Sequence, residues 1–254
     1  PDYVLVIKGD SLTSNTITRI NRQGIVTINW FPDWLVSWRW VKTHAPAYTV
    51  FINSCYDTFV KLGQLGIRNY YLPYAAPVSA RKHLSKKYPV TFIGQHSPRR
   101  ERYFKAIADL GLQIWGYNRW SSSSLAHLYE HPTTQLQTQN IVAQSKITVN
   151  ILTGTDSFQP TAINIRTFES LAAGTFLLVK DYPLLHRHFR VGKELVTFTT
   201  PQDLRRKVKY YLSHEIERER IASVGYNRIL RDHTFAKRLR ELFRIVNRHV
   251  QETN

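Results

Sequence analysis

"NIRTFESLAAGTFLLV" (164–179) decides the fold. Wound at about 100° per residue from a start near Asn164, it places Ile165, Phe168, Leu171 and Ala172 on one face. Gly174 ends the helix, and the apolar run "TFLLV" returns the chain to a buried strand. A helix leading into such a strand is part of a βαβ unit in a parallel sheet. On the same wheel Glu169 falls at the edge of the apolar stripe, with Arg166 beside it. The spacing therefore predicts a carboxylate held near the strand ends.

Outward from this stretch the same alternation extends in both directions. Upstream, "VTFIG" (90–94) reads as a strand, followed by a helix with Ser97 as N-cap, Pro98 at its first position and Gly111 as its stop. "LQIW" (112–115) is a strand, Gln135 to Gln144 a helix and "KITVNIL" (146–152) a strand. Downstream, "KELVTF" (193–198) is a strand, and helices cover 201–213, 215–230 and 234–249, the last capped by Thr234. The first third has its own series. Strands at 3–7, 25–31, 48–53 and 69–74 alternate with helices at 11–22 and 57–65. Between the two series, residues 73–89 carry a basic cluster and three prolines without apolar periodicity. Three parts follow: an N-terminal Rossmann-like domain (1–78), a second Rossmann-like domain (79–233) and a terminal helix (234–254). A doubly wound half usually opens with its own first strand and phosphate turn, so the first domain is expected to be incomplete. The lack of any Met points the same way. "SSSS" (121–124) is expected to be a mobile loop.

A length of 254 residues suffices for two α/β units with real cores. The net charge of +17, from 35 Lys and Arg against 18 Asp and Glu, exceeds what solubility needs and implies an anionic partner. The single cysteine, Cys55, excludes an intramolecular disulfide and reads as a buried apolar side chain in a reducing compartment. No run approaches the length of a membrane span, so the chain reads as soluble and cytoplasmic.

Open parallel sheets bind ligands outside the carboxyl ends of their strands, where helix N-termini present free N–H groups. Two turns fit that description. In "GQHSPRRER" a strand ends at Gly94 and a helix opens among Arg99, Arg100 and Arg102, a setting suited to a diphosphate. A solvated helix face would look the same. His96 follows Gly94 as a cleft-facing donor or as a loop histidine without function. The second turn is the opening stretch itself. Glu169 can accept a pair of vicinal hydroxyls, as from a ribose, or form an ion pair with Arg166 worth about 0.3 kcal/mol. Taken alone, the stretch favours the ion pair. His186 and His188 have the spacing of a strand face and no third partner, so no metal site is expected. Asp33 in "WFPDW" is the one strand-end acid placed to act as an acceptor base, and the neighbouring Trp30, Trp34, Trp38 and Trp40 read as core packing.

The run "NIRTFESLAAGTFLLV", with "FRVGKELVTFTTPQDLRRKVKYYL" after it, resembles the C-terminal half of group 1 glycosyltransferases of the GT-B fold. With "FIGQHSPRRERYF", "IWGYNRW" and "KITVNI" in the same order, the chain looks most like the CgeB-type branch, named for a spore-maturation protein. The resemblance implies two Rossmann-like halves facing a cleft, a nucleotide-sugar donor on the second half and an acceptor between them. It implies that Glu169 binds the ribose and that Asn164 and Arg166 meet the diphosphate or donor sugar. Gly94 with Arg99 or Arg102 would line the phosphate side, and the last helix would cross back to the first half. One departure is clear: many group 1 enzymes carry a second glutamate seven residues before the ribose-binding one, and here that position is Ala162.

The sequence therefore predicts a hexosyltransferase-type enzyme that needs no cofactor or metal, its acceptor a glycan, lipid or protein. Two competitors remain. Arg205, Arg206, Lys207, Lys209, Arg218, Arg220, Arg228 and Arg231 suggest a nucleic-acid-binding protein. The interleaved Glu215, Glu217 and Glu219 argue instead for a solvated face suited to an anionic membrane, with nucleic acid disfavoured. A nucleotide-sugar epimerase on the same fold is the other.

Overall fold

The computed structural model describes residues 1–32, 38–77, 84–152 and 160–253. Contacts divide the chain into two units, one of Pro1–Tyr74, Thr161–Ile163 and Phe235–Asn254, the other of Ala75–Pro160 and Asn164–Thr234.

In the first unit β1 (Tyr3–Ile7), α1 (Ser14–Asn21), β2 (Val26–Phe31), α2 (Trp38–His44), β3 (Val50–Asn53), α3 (Tyr56–Gln64) and β4 (Tyr70–Tyr71) follow one another. The four strands lie parallel in sequence order. Because side chains alternate across a strand, Phe31 and Phe51 join Ile17, Val41 and Leu62 on one face, while Ile28, Trp30, Val50 and Ile52 point to the other. Trp30 is buried, and its indole N–H reaches Ser54 Oγ at 2.8 Å and the Leu72 carbonyl at 3.2 Å. Trp40 stacks on Phe31 at 5.2 Å, and Trp38 packs against the same cluster. All three are packing residues; Trp34 and Asp33 lie outside the described residues. Cys55 is buried, its Sγ 3.2 Å from Thr161 Oγ1.

The second unit runs β5 (Tyr88–Ile93), α4 (Pro98–Lys105), β6 (Leu112–Trp115), α5 (Gln135–Ala143), β7 (Ser145–Asn150), α6 (Ile165–Ala172), β8 (Phe176–Lys180), α7 (Pro183–His188), β9 (Val196–Phe198), α8 (Pro201–Ser213) and α9 (Glu215–Asp232). Its parallel sheet has the order β6-β5-β7-β8-β9. The chain thus steps from β5 to β6, then crosses back to β7 on the other side of β5. That reversal makes the space outside the ends of β5 and β7 the topological switch point, where a doubly wound sheet leaves a crevice.

The last helix, α10 (Phe235–Thr253), belongs to the first unit, where Leu242 and Val246 are fully buried against Ile28, Trp30, Val50 and Ile52. The expected 78/79 boundary falls among residues 78–83, outside the described residues, and the units divide after Tyr74. Thr161 returns to the first unit through a 2.8 Å bond from the Tyr56 amide to its carbonyl.

Two expectations are corrected here. His186 and His188 lie on α7, not on a strand, because Pro183 at the first position favours a helical turn. His186 Nε2 is 2.8 Å from Asp181 Oδ1. Arg218, read as part of a solvated face, is fully buried and donates to the Tyr211 carbonyl at 2.7 Å. The last turn of α8 leaves carbonyls without intrahelical partners, and this guanidinium supplies a donor. Among the described residues no helix is long and apolar enough to cross a membrane.

Candidate functional site

The site is built at the switch point of the second unit, from the turn after β5, the end of β7 and the starts of α4, α5 and α6. The β5 turn is tightly packed. A Cβ on Gly116, whose φ is 127°, would lie 2.5 Å from the Gly94 carbonyl oxygen. Only glycine allows this approach, and Trp120 then donates its indole N–H to the same carbonyl at 2.9 Å.

Ser97 caps α4 by accepting from the Arg100 amide at 3.3 Å, and Pro98 occupies the first helical position. That start fixes the phase of the helix. Tyr103, Phe104 and Ile107 enter the core, so Arg99 and Arg100, one turn earlier, are carried to the buried side at the helix mouth. Arg100 joins the two strand ends, donating from Nε to the Ile151 carbonyl at 2.8 Å and from Nη1 to the Gln95 carbonyl at 2.7 Å. Burial, reinforced by the neighbouring charge of Arg99, pushes its pKa down to about 10. Among the described residues no carboxylate pairs with Arg100. Arg102 is exposed instead, its guanidinium 5.4 Å from the centre of the Tyr103 ring.

His96 leaves the same turn and is held by a glutamate. Its Nε2 is 2.7 Å from Glu101 Oε2, and its ring stands edge-on to Trp120 at 4.8 Å. The other Glu101 oxygen accepts from Ser124 Oγ at 2.5 Å and from the Ser124 amide at 3.2 Å. The Ser124 hydroxyl, then His96, hold this carboxyl down at about 2. The serine run expected to be mobile is pinned here, and Glu101 is a site residue that the sequence reading did not single out.

Beyond β7 the helix start is locked by paired amides. Asn164 Oδ1 caps α6 at the Thr167 amide and also accepts from Asn150 Nδ2 at 2.8 Å, while its own Nδ2 donates to Asn150 Oδ1 at 3.2 Å. Glu169 is 8% exposed. Its Oε1 accepts from Gln135 Nε2 at 2.6 Å, and its Oε2 lies 2.8 Å from Arg166 Nη1. Burial lowers the Arg166 pKa and the Glu169 charge opposes that shift.

The structure therefore brings Gly94, His96, Arg99, Asn164, Arg166 and Glu169 to one edge of the second sheet, linked through Arg100, Ile151 and Asn150. It leaves Arg102 on the outer surface of α4. Buried cations beside hydrogen-bond donors and a carboxylate are suited to a ligand with both anionic and hydroxyl groups.

Two parallel-sheet α/β units with a helical C-terminal region define a protein of the GT-B fold. Sucrose-phosphate synthase from Thermosynechococcus elongatus superposes with a TM-score of 0.70 at 10% identity, over 99% of this chain and 74% of that one. Anabaena HepE in complex with UDP-glucose gives 0.73 at 10% identity, over 97% and 78%. TarM gives 0.70 at 10% identity over 96% of this chain, which spans 54% of that protein's length. No curated protein matches the chain. The glycosyl transferase-like family model matches residues 99–244, and the chain belongs to that family.

Proposed function

We propose that the chain transfers a sugar, of hexosyl type, from a nucleoside diphosphate donor to an acceptor, with the second unit holding the donor. One observation carries the reading: Arg100 is buried at the switch point next to Arg99, its charge disfavoured there and matched by no carboxylate among the described residues. A buried cation so placed gains most from an anionic ligand. When the bond between the anomeric carbon and the β-phosphate oxygen breaks, negative charge builds on the diphosphate. Fixed guanidinium groups at a helix mouth stabilise that charge, so the reading requires neither a metal nor a cofactor.

In this assignment Arg99 and Arg100 face the phosphates, Glu169 takes the ribose hydroxyls, and Asn164 and Arg166 flank the diphosphate or sugar. His96, oriented by Glu101, donates to the leaving group. Arg102, on the outer surface of α4, takes no part in this assignment, and Asp33 is the candidate base on the acceptor, which we take to be a glycan, lipid or protein. Ala162 offers no carboxylate to the donor sugar. UDP is bound in the structures of HepE and of the pneumococcal O-GlcNAc transferase GtfA, which supports a uridine diphosphate sugar as the donor. The motif order supports the CgeB-type branch, and the single cysteine supports a reducing, cytoplasmic setting. The exposed basic residues of α8 and α9, Arg206, Lys209, Arg220 and Arg231, support peripheral contact with anionic membrane.

Thermal melting with UDP, GDP and ADP tests the reading. One of them, at a hundred times its Kd, should stabilise the protein by about 2.7 kcal/mol. Arg99→Ala should shrink that shift. If none of the three raises the melting temperature, the donor assignment is lost.

A further inference from the structure

We infer that Gln135 occupies, in the ligand-free protein, the place on Glu169 that a ribose hydroxyl takes, and must leave for the nucleotide to bind. The inference rests on the donor assignment above. Glu169 is 8% exposed and its Oε1 is already taken, at 2.6 Å, by the Gln135 amide. Its Oε2 is close to Arg166 Nη1 at 2.8 Å, yet neither atom makes an aligned hydrogen bond, so a buried carboxylate oxygen keeps acceptor capacity. An amide N–H and a ribose O–H are equivalent donors to a carboxylate.

The setting lets the side chain move while its backbone stays. Gln135 is the first residue of α5, whose start is fixed by a reciprocal pair of bonds between Thr134 and Gln137. Its side chain is exposed and makes no other hydrogen bond among the described residues. Rotation into solvent therefore breaks one contact and unfolds nothing. The carboxylate meanwhile stays in position and keeps a partner, which avoids the cost of a buried charge left bare. A nucleotide then binds only the fraction of molecules in which the amide has swung away, and its apparent affinity falls by that fraction.

Isothermal titration of UDP and of inorganic pyrophosphate into wild type and Gln135→Ala separates this role from a structural one. With the competing amide gone, UDP should bind about three- to tenfold more tightly, while pyrophosphate, which has no ribose, should bind as before. Gln135→Met should behave like the alanine variant. A UDP affinity that is unchanged or weaker in both variants, with wild type binding UDP, overturns the role of Gln135 alone. Wild-type protein that binds neither probe, nor GDP or ADP, overturns the donor assignment and this inference together.

Discussion

At the scale of single residues, Glu101 shows how a side chain outside any recognisable motif can set up a site. Its carboxyl sits at about 2 in the folded chain against an ordinary 4.5. A depressed acid stabilises the fold fully above its unfolded value, and that contribution is lost as pH falls through the folded value. Glu101→Gln should thus cost about 1–2 kcal/mol near pH 6, after allowance for solvent at a side chain 17% exposed. The gap in melting temperature between variant and wild type should close as pH drops from about 4.5 towards 2. A gap that stays constant over that range would remove the assigned role. Glu169, Asn164 and Arg166 were legible in the sequence because each lies within six residues of one helix start. Glu101 and Gln135 were not, since their partners Ser124 and Glu169 stand 23 and 34 residues away in the chain. Arg100 was named with Arg99 and Arg102 at that helix start but was not singled out, although the sequence allows it. Counting one turn back from Tyr103, Phe104 and Ile107 puts it on the buried side, whereas Arg102 falls outside that stripe.

At the scale of elements, the strands of both sheets were legible because buried parallel strands are written as short apolar runs, "TINWF" and "KITVN" among them. Helix starts were equally readable where Ser97, Asn164 and Thr200 cap them. What local pattern does not carry is the packing partner of a helix. α9 packs so closely on α6 and on the segment before β9 that a Cβ on Gly225 would lie 2.3 Å from the Glu194 carbonyl oxygen in that segment and 2.8 Å from Leu171 Cδ2 on α6. The first neighbour is backbone and cannot rotate aside. Gly225→Ala should therefore destabilise the protein by about 1–3 kcal/mol, although alanine is the better helix former. Chemical denaturation gives the answer directly: a variant as stable as wild type would mean that α9 can ride further from the Glu194 segment and from α6. Because α6 carries Glu169, any displacement should also weaken UDP binding, which titration of the same variant would show.

At the scale of the whole molecule, the chain's last helix completes the core of its first sheet. Helical spacing in 234–249 announces an amphipathic helix but not its partner, because the strands that bury Leu242 and Val246 lie some 200 residues upstream. Only the resemblance to GT-B enzymes suggested the return. Leu242 is fully buried among Ile28, Trp30, Val50 and Ile52, so Leu242→Ala should cost about 2–5 kcal/mol through lost burial and the cavity left behind. The assigned donor residues all belong to the second unit, with none on α10. The variant should therefore melt earlier and, well below its transition, bind UDP with wild-type affinity. Trp30 is the local probe, since its indole bonds to Ser54 and Leu72 hold it in the core that α10 covers. If Leu242→Ala left the melting temperature in place, the helix would contribute little to this core. If it abolished UDP binding in the folded protein, the donor site would depend on more than the second unit supplies.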